Sequence, residues 1–223
     1  VSNTIELSRK TATTSVREPN AYHENVDDTA ALPPAPGAEQ YVALALANTT
    51  IALPGGQFTD LLGTPAAATD WLAEQGLAPV DAGLQEMCAG LVRSLREQVR
   101  VLLASRSCSA PAPQSALNAI NEALSKAPTA ELLRWDPVRG LYRTASHPIT
   151  QIVEHALATL AANAADLVTG QDADRIAACG SPPCTRFFLR NGRRQWCSVR
   201  CGDRARAARA YARRAQPADS SQR

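Results

Sequence analysis

From about residue 38 onward, apolar residues recur at intervals of three and four through most of the chain, the spacing that gathers side chains on one side of a helix. The run Tyr41-Val42-Ala43-Leu44-Ala45-Leu46-Ala47-Asn48-Thr49 opens the pattern, which stops ahead of Pro54-Gly55-Gly56. Thr64-Pro65 reads as an N-cap and first helical residue, starting a helix through Trp71 and Leu72 to Gly76. Leu84, Met87, Cys88, Leu91, Leu95, Val99, Leu102 and Leu103 predict the longest helix, over 81–106. Pro111 and Pro113 precede another over 114–126, with Leu117, Ile120, Asn121 and Leu124 on one side. Residues 132–135 and 141–144 read as two short strands of a hairpin around Asp136-Pro137-Val138-Arg139-Gly140. Ile149, Ile152, Val153, Ala156, Leu157, Leu160, Ala164, Leu167 and Val168 define a second long helix ending at Gly170, and a short helix over 172–178 follows. Residues 1–38 hold no such period; rich in Thr, Ser, Asn, Glu and Pro, they read as a disordered tail, as do residues 216–223.

Composition agrees with helices. Apolar residues make up 45% of the 223 residues but aromatics only 4%, so the core must be built from Ala, Leu and Val, which favours a mainly α fold over a β-sandwich. No run approaches the ~18 apolar residues of a membrane span, and no apolar signal segment opens the sequence, so the expectation is a cytoplasmic protein with no membrane partner. Gly-rich phosphate loops, Ser-His-Asp signatures and HExxH are all missing, and the expectation is that the chain is not an enzyme.

The chemistry is concentrated near the C-terminus. Cys179 and Cys184 are separated by four residues, Cys197 and Cys201 by three, and twelve residues lie between the pairs. Two short chelating pairs supply the four thiolates of a closed tetrahedral site, predicting one structural zinc per chain. Phe187, Phe188 and Leu189 read as one strand of an intervening hairpin, Asn191-Gly192 as its turn, and Gln195-Trp196 as the returning strand. A helix over 198–214 then places Cys197 and Cys201 on one face with Ala205, Ala208 and Ala212, as if to lie close on the finger. Knuckle, hairpin and helix in that order make a treble-clef-like finger, expected over 178–215, which loses its fold by itself when Cys197 is replaced.

Between Arg186 and Arg214 stand ten arginines and one acid, Asp203, a net +9 in a chain whose total is +2, so the remainder is acidic at −7. Charge segregated in this way, beside Trp196 and Tyr211, points to double-stranded DNA as partner. The candidate contacts are Arg186, Arg190, Asn191, Arg193, Arg194, Arg200, Arg204, Arg206, Arg209 and Arg213. The rival reading is a protein-interaction adaptor in which zinc is only a staple. Cys88 lies on an apolar stripe and reads as a small buried residue; Cys108, His147 and His155 form no metal pair. Asn48 reads as a helix cap or a polar core residue in preference to a ligand-pocket residue.

The segment Arg190 to Tyr211, RNGRRQWCSVRCGDRARAARAY, resembles the CGNR zinc finger, whose core reads RNGRRRWCS and then CGNR. It departs in Asp203, where the family has Asn, and in a last cysteine pair one residue closer. Upstream, Ala43-Leu44-Ala45-Leu46-Ala47-Asn48-Thr49, Asp60-Leu61-Leu62-Gly63-Thr64-Pro65 and Trp71-Leu72-Ala73-Glu74-Gln75-Gly76-Leu77 resemble the ABATE domain that commonly precedes that finger, with Ala45-Leu46-Ala47 standing where Leu-Asp-Phe is usual. The resemblances imply a stress-induced bacterial transcription regulator, with a helical ABATE-like domain over 39–177 as effector-sensing or partner module. One finger covers few base pairs, so a homodimer is expected, and a small-molecule effector is a further expected partner.

Overall fold

The computed structural model describes residues 33–127, 131–145 and 151–215; the expected tails over 1–32 and 216–223, and His147 and Ile149, lie outside them. Six α-helices and three two-stranded antiparallel sheets follow one another in these segments. Helix α1, Val42–Ala47, leads into a hairpin of β1, Thr50–Ala52, and β2, Phe58–Asp60. Helix α2, Pro65–Glu74, starts where Thr64 accepts a hydrogen bond from the Ala67 amide at 3.2 Å and Pro65 takes the first position. Helix α3 is Glu86–Ser107 and α4 is Gln114–Lys126; strands β3, Glu131–Asp136, and β4, Gly140–Ala145, form the expected hairpin; helix α5, Ile152–Thr169, ends at Gly170.

Helix α3 is the centre of the body, with α1, α2, α4 and α5 packed around it. Its inner side presents Ala89, Val92, Leu95, Val99, Leu102 and Leu103 to Leu44 and Leu46 of α1, Leu72 of α2, Ile120 of α4 and Leu160 and Leu167 of α5. Alanines at 43, 47, 68, 116, 156, 161 and 164 are buried between them, and their small side chains let helices approach closely without large aromatics. The helix begins five residues later than its periodicity suggests, because Gly83 sits at φ +55°, outside the helical region. Its first turns are also rotated from the expected stripe: Met87 is 75% exposed, while Arg96 is buried.

Arg96 has a partner that the spacing does not reveal. Its guanidinium grips the Asp60 carboxylate of β2 with two hydrogen bonds of 2.5 and 2.9 Å and also donates to Thr49 Oγ1 at 3.2 Å. This clamp ties the β1–β2 hairpin, unforeseen in the sequence, to the central helix. Burial by itself would raise the Asp60 pKa, but the Arg96 hydrogen bonds, the Leu62 amide and the charges of Arg96 and Arg93 outweigh it and hold the carboxyl below its ordinary value. A carboxylate depressed on folding contributes stability above its unfolded pKa, near 4, and loses it as pH falls through the folded value. Urea denaturation from roughly pH 5 to pH 3 is therefore expected to show a fall in stability that Asp60→Asn flattens; an unchanged slope in that variant would place the acid sensitivity elsewhere.

Three further expectations are corrected. Residues 172–178 are not a helix: a single 3-10 turn, Ala173–Arg175, gives way to strand β5, Ile176–Ala178. That strand pairs antiparallel with β6, Phe187–Leu189, so the partner of Phe187-Phe188-Leu189 precedes it in the chain and is not Gln195-Trp196. The expected tail likewise ends earlier than residue 38. From Pro33 the chain lies along the outer edge of β6, where Leu189 N–H donates to Pro36 O at 2.7 Å, Arg186 donates to Pro33 O at 2.8 Å, and Ala35 is buried against Phe188. Gly37, at φ +94°, closes this strap; a Cβ there would stand 2.5 Å from Leu189 Cγ, so only glycine fits.

Candidate metal centre and nucleic-acid surface

Pairing of β5 with β6 shapes the first half of the metal site. The loop between them holds Cys179 and Cys184; Cys179 N–H donates to Arg186 O at 2.9 Å, and Cys184 N–H donates to Ser181 O at 2.9 Å, closing a tight knuckle. The second half is the start of helix α6, Val199–Ala215. Ser198 caps it, its hydroxyl accepting from the Cys201 amide at 3.2 Å. The returning chain is held to the knuckle by Gly180 N–H donating to Gln195 O at 3.1 Å.

These elements bring the four sulphurs within 4.8 Å of one another, with Cys197 Sγ 3.7 Å from both Cys184 Sγ and Cys201 Sγ. A tetrahedron with Zn–S bonds of ~2.3 Å has sulphur–sulphur edges of about 3.8 Å, so the donor set fits one zinc ion and the shorter spacing of the last pair is no obstacle. All four ligands come from the protein, which makes the site structural. The crowding also shifts three of the thiols in opposite directions. Hydrogen bonds from the Cys184 and Cys197 thiols push Cys179 down to about 2, whereas the same contact with Cys179 pushes Cys184 up to about 11 and Cys197 higher still. Zinc takes its cysteine ligands as thiolates, so binding releases protons.

Around the sulphurs the arginines divide into two groups. Arg204 turns inward: it donates to Ser181 O at 2.8 Å and Ser181 Oγ at 3.2 Å, and lies 3.5 Å from Cys201 Sγ, bracing the knuckle against the helix. Arg186 is buried and bound to Pro33 O, which corrects its expected place among DNA-facing residues. Arg194 donates to the carbonyls of Trp196 and Cys197. Arg190, Asn191, Arg193, Arg200, Arg206, Arg209 and Arg213 are exposed.

Trp196, half-buried, is the platform for this outer group. The guanidiniums of Arg206 and Arg209 lie 5.6 and 5.4 Å from its ring centre, a cation–π arrangement that orders both long side chains. A Cβ on Gly202 would come within 3.2 Å of both the ring and Arg206, so any larger residue there would have to displace the stack by a few tenths of an ångström. Asp203 bonds Arg206 at 2.5 Å, so its negative charge is met locally by one arginine of the stack. Of the alanine face expected to lie on the finger, Ala208 and Ala212 are exposed; only Cys201 and Gly202 of α6 are buried, and the helix leaves the body after its first turn.

The finger is also joined to the helical body. Ile176, Phe187 and Leu189 belong to the same core as α1, α3 and α5. Asn48, at the C-cap of α1, exchanges two hydrogen bonds with the Phe187 backbone, donating to its carbonyl at 2.9 Å and accepting from its amide at 2.8 Å, the polar core role expected of it. Arg100 of α3 donates to Ala47 O at 2.5 Å and Thr185 O at 3.2 Å, and lies over the Phe187 ring at 5.4 Å.

A helical body fused to a closed four-cysteine site defines a zinc-finger protein. Residues 41–171 match the ABATE family model, described as "Putative stress-induced transcription regulator", and residues 175–214 match the CGNR zinc finger. The first match alone spans more than half of the chain, and the chain belongs to the ABATE family, with a CGNR finger at its C-terminal end. No curated protein matches it at a significant level. Among the described residues no helix is long and apolar enough to cross a membrane.

Proposed function

We propose that this protein is a zinc-dependent, double-stranded-DNA-binding transcription regulator, in which the zinc site fixes the root of α6 and the free helix carries arginines to the duplex. The observation that carries this reading is the exposed cationic array of Arg200, Arg206, Arg209 and Arg213 on a helix with almost no packing of its own, ordered at its base by Trp196. Most of these guanidiniums serve as phosphate contacts that position the finger, and one or two reach guanine edges. The reading places the protein in the cytoplasm, acting on the chromosome in response to stress, and assigns it no catalysis: four cysteine ligands leave zinc no open position for a substrate.

The helical domain supplies the control, by dimerising, by binding an effector, or both. An effector reading is favoured by a half-open surface pocket of about 570 Å³ lined by Gly76, Leu77, Ala78, Pro79, Asp81, Ala82 and Ile152, a volume in the range of small-molecule sites. Its walls suit an apolar molecule bearing one cationic or donor group.

The test is selection of bound duplexes from a random pool by the zinc-loaded protein, repeated over a salt series. An enriched motif that disappears on chelation is expected, with affinity falling linearly in log salt at about −0.9 per phosphate neutralised. Absence of binding at any salt would overturn the reading in favour of the adaptor, a protein-interaction module stapled by zinc.

A further inference from the structure

The β3–β4 hairpin carries four large apolar side chains that stay open to water. Leu133 and Trp135 are each 68% exposed, Leu141 71% and Val138 91%. The register sets Trp135 opposite Leu141 and Leu133 opposite Arg143, so strand alternation puts Leu133, Trp135 and Leu141 on one face, while Val138 stands in the turn at the tip. The turn is well built: Asp136 Oδ1 accepts from the Val138 and Arg139 amides at 2.8 and 2.9 Å, and Gly140 takes φ +71°.

A two-stranded ribbon standing alone in water is marginally stable, and one with an apolar face is stabilised by whatever covers that face. We infer that the cover is a second copy of this chain, docked ribbon against ribbon about a two-fold axis. An isologous contact needs only one such patch on each molecule. Four apolar side chains two thirds or more exposed amount to roughly 500 Å² per chain, so mutual burial removes on the order of 1,000 Å², where specific interfaces begin. Charge favours a protein partner over a duplex, since the face itself offers only Arg143 to phosphate whereas the finger concentrates +9.

The inference rests on the dimeric half of the reading above and gives that dimer its surface. Light scattering on the full zinc-loaded chain, over a dilution series with and without DNA, is expected to show a dimer. Trp135→Glu combined with Leu141→Glu is expected to raise the dimer dissociation constant at least about a hundredfold, as loss of a central aromatic anchor does, with zinc content and helical signal unchanged. Trp135→Phe, which keeps the apolar contact, is expected to leave the dimer intact. A monomeric wild type at every concentration overturns both this inference and the dimeric reading; a double variant that still dimerises overturns this surface alone. A monomeric wild type whose duplex binding vanishes in the double variant reassigns the hairpin to DNA. Duplex binding by the wild type, measured separately, reports on the DNA reading whatever the oligomeric outcome.

Discussion

Cys197→Ser is expected to lower the melting temperature of the entire chain by roughly 10 °C or more, with helices and finger melting together. The residue sits between two other ligands, its sulphur 3.7 Å from those of Cys184 and Cys201, so its loss leaves zinc with three thiolates. Metal-binding free energy of a structural site is folding free energy, because the unfolded chain does not hold the ion. What carries the loss beyond the finger is the shared core: Ile176, Phe187 and Leu189 pack with Leu46, Val99 and Leu103. If ~4 kcal/mol of net stability goes, a chain of this size loses about 2–4 °C for each of them. Far-UV circular dichroism follows the helices and zinc release follows the finger. Coincident transitions are expected, in the variant and in wild type treated with a chelator; an unshifted helical melt after loss of zinc would show that the finger is an independent module.

Asn48→Ala is expected to destabilise the protein by about 2–4 kcal/mol without touching a ligand or a large apolar contact, because the side chain satisfies both backbone groups of Phe187 and the alanine leaves a buried donor and a buried acceptor unpaired. Chemical denaturation followed by circular dichroism should give a lower midpoint at unchanged slope. Zinc affinity should fall with it, since β6 forms one wall of the knuckle. A midpoint within about 0.5 kcal/mol of wild type would mean that water replaces the amide without cost.

The metal site was legible in the sequence because chelation is local: two cysteine pairs carry their meaning in their spacing. Long helices were legible for the same reason, down to the limits of α4 and the Thr64-Pro65 start of α2. What stayed hidden depends on partners remote in the chain. Arg96 reads as a polar residue beside an apolar stripe until Asp60, on a strand 36 residues away, is seen to hold it. Ile176-Ala177-Ala178 suits a helix by composition, and only pairing with Phe187–Leu189 across the knuckle makes it a strand. Arg186 is chemically indistinguishable from Arg190, yet the strap at Pro33 covers the first, whereas the second lies past the end of β6 and is exposed. The alanines of α6 misled in the opposite direction: small residues permit close packing but do not require it.

That bare helix bears on how such a protein changes over generations. Apart from Arg204, which braces the knuckle, and Arg206 and Arg209, which lie over Trp196, α6 has no anchored side chain beyond Gly202, so substitutions at its other positions, kept to helix-forming residues, alter stability by no more than about 0.5 kcal/mol. Under the proposed DNA-binding function, those other positions can therefore be rewritten one at a time while the zinc knuckle and the helical body stay fixed. On that function, related chains would be free to part company in which sequences they seek well before they differ in how they fold.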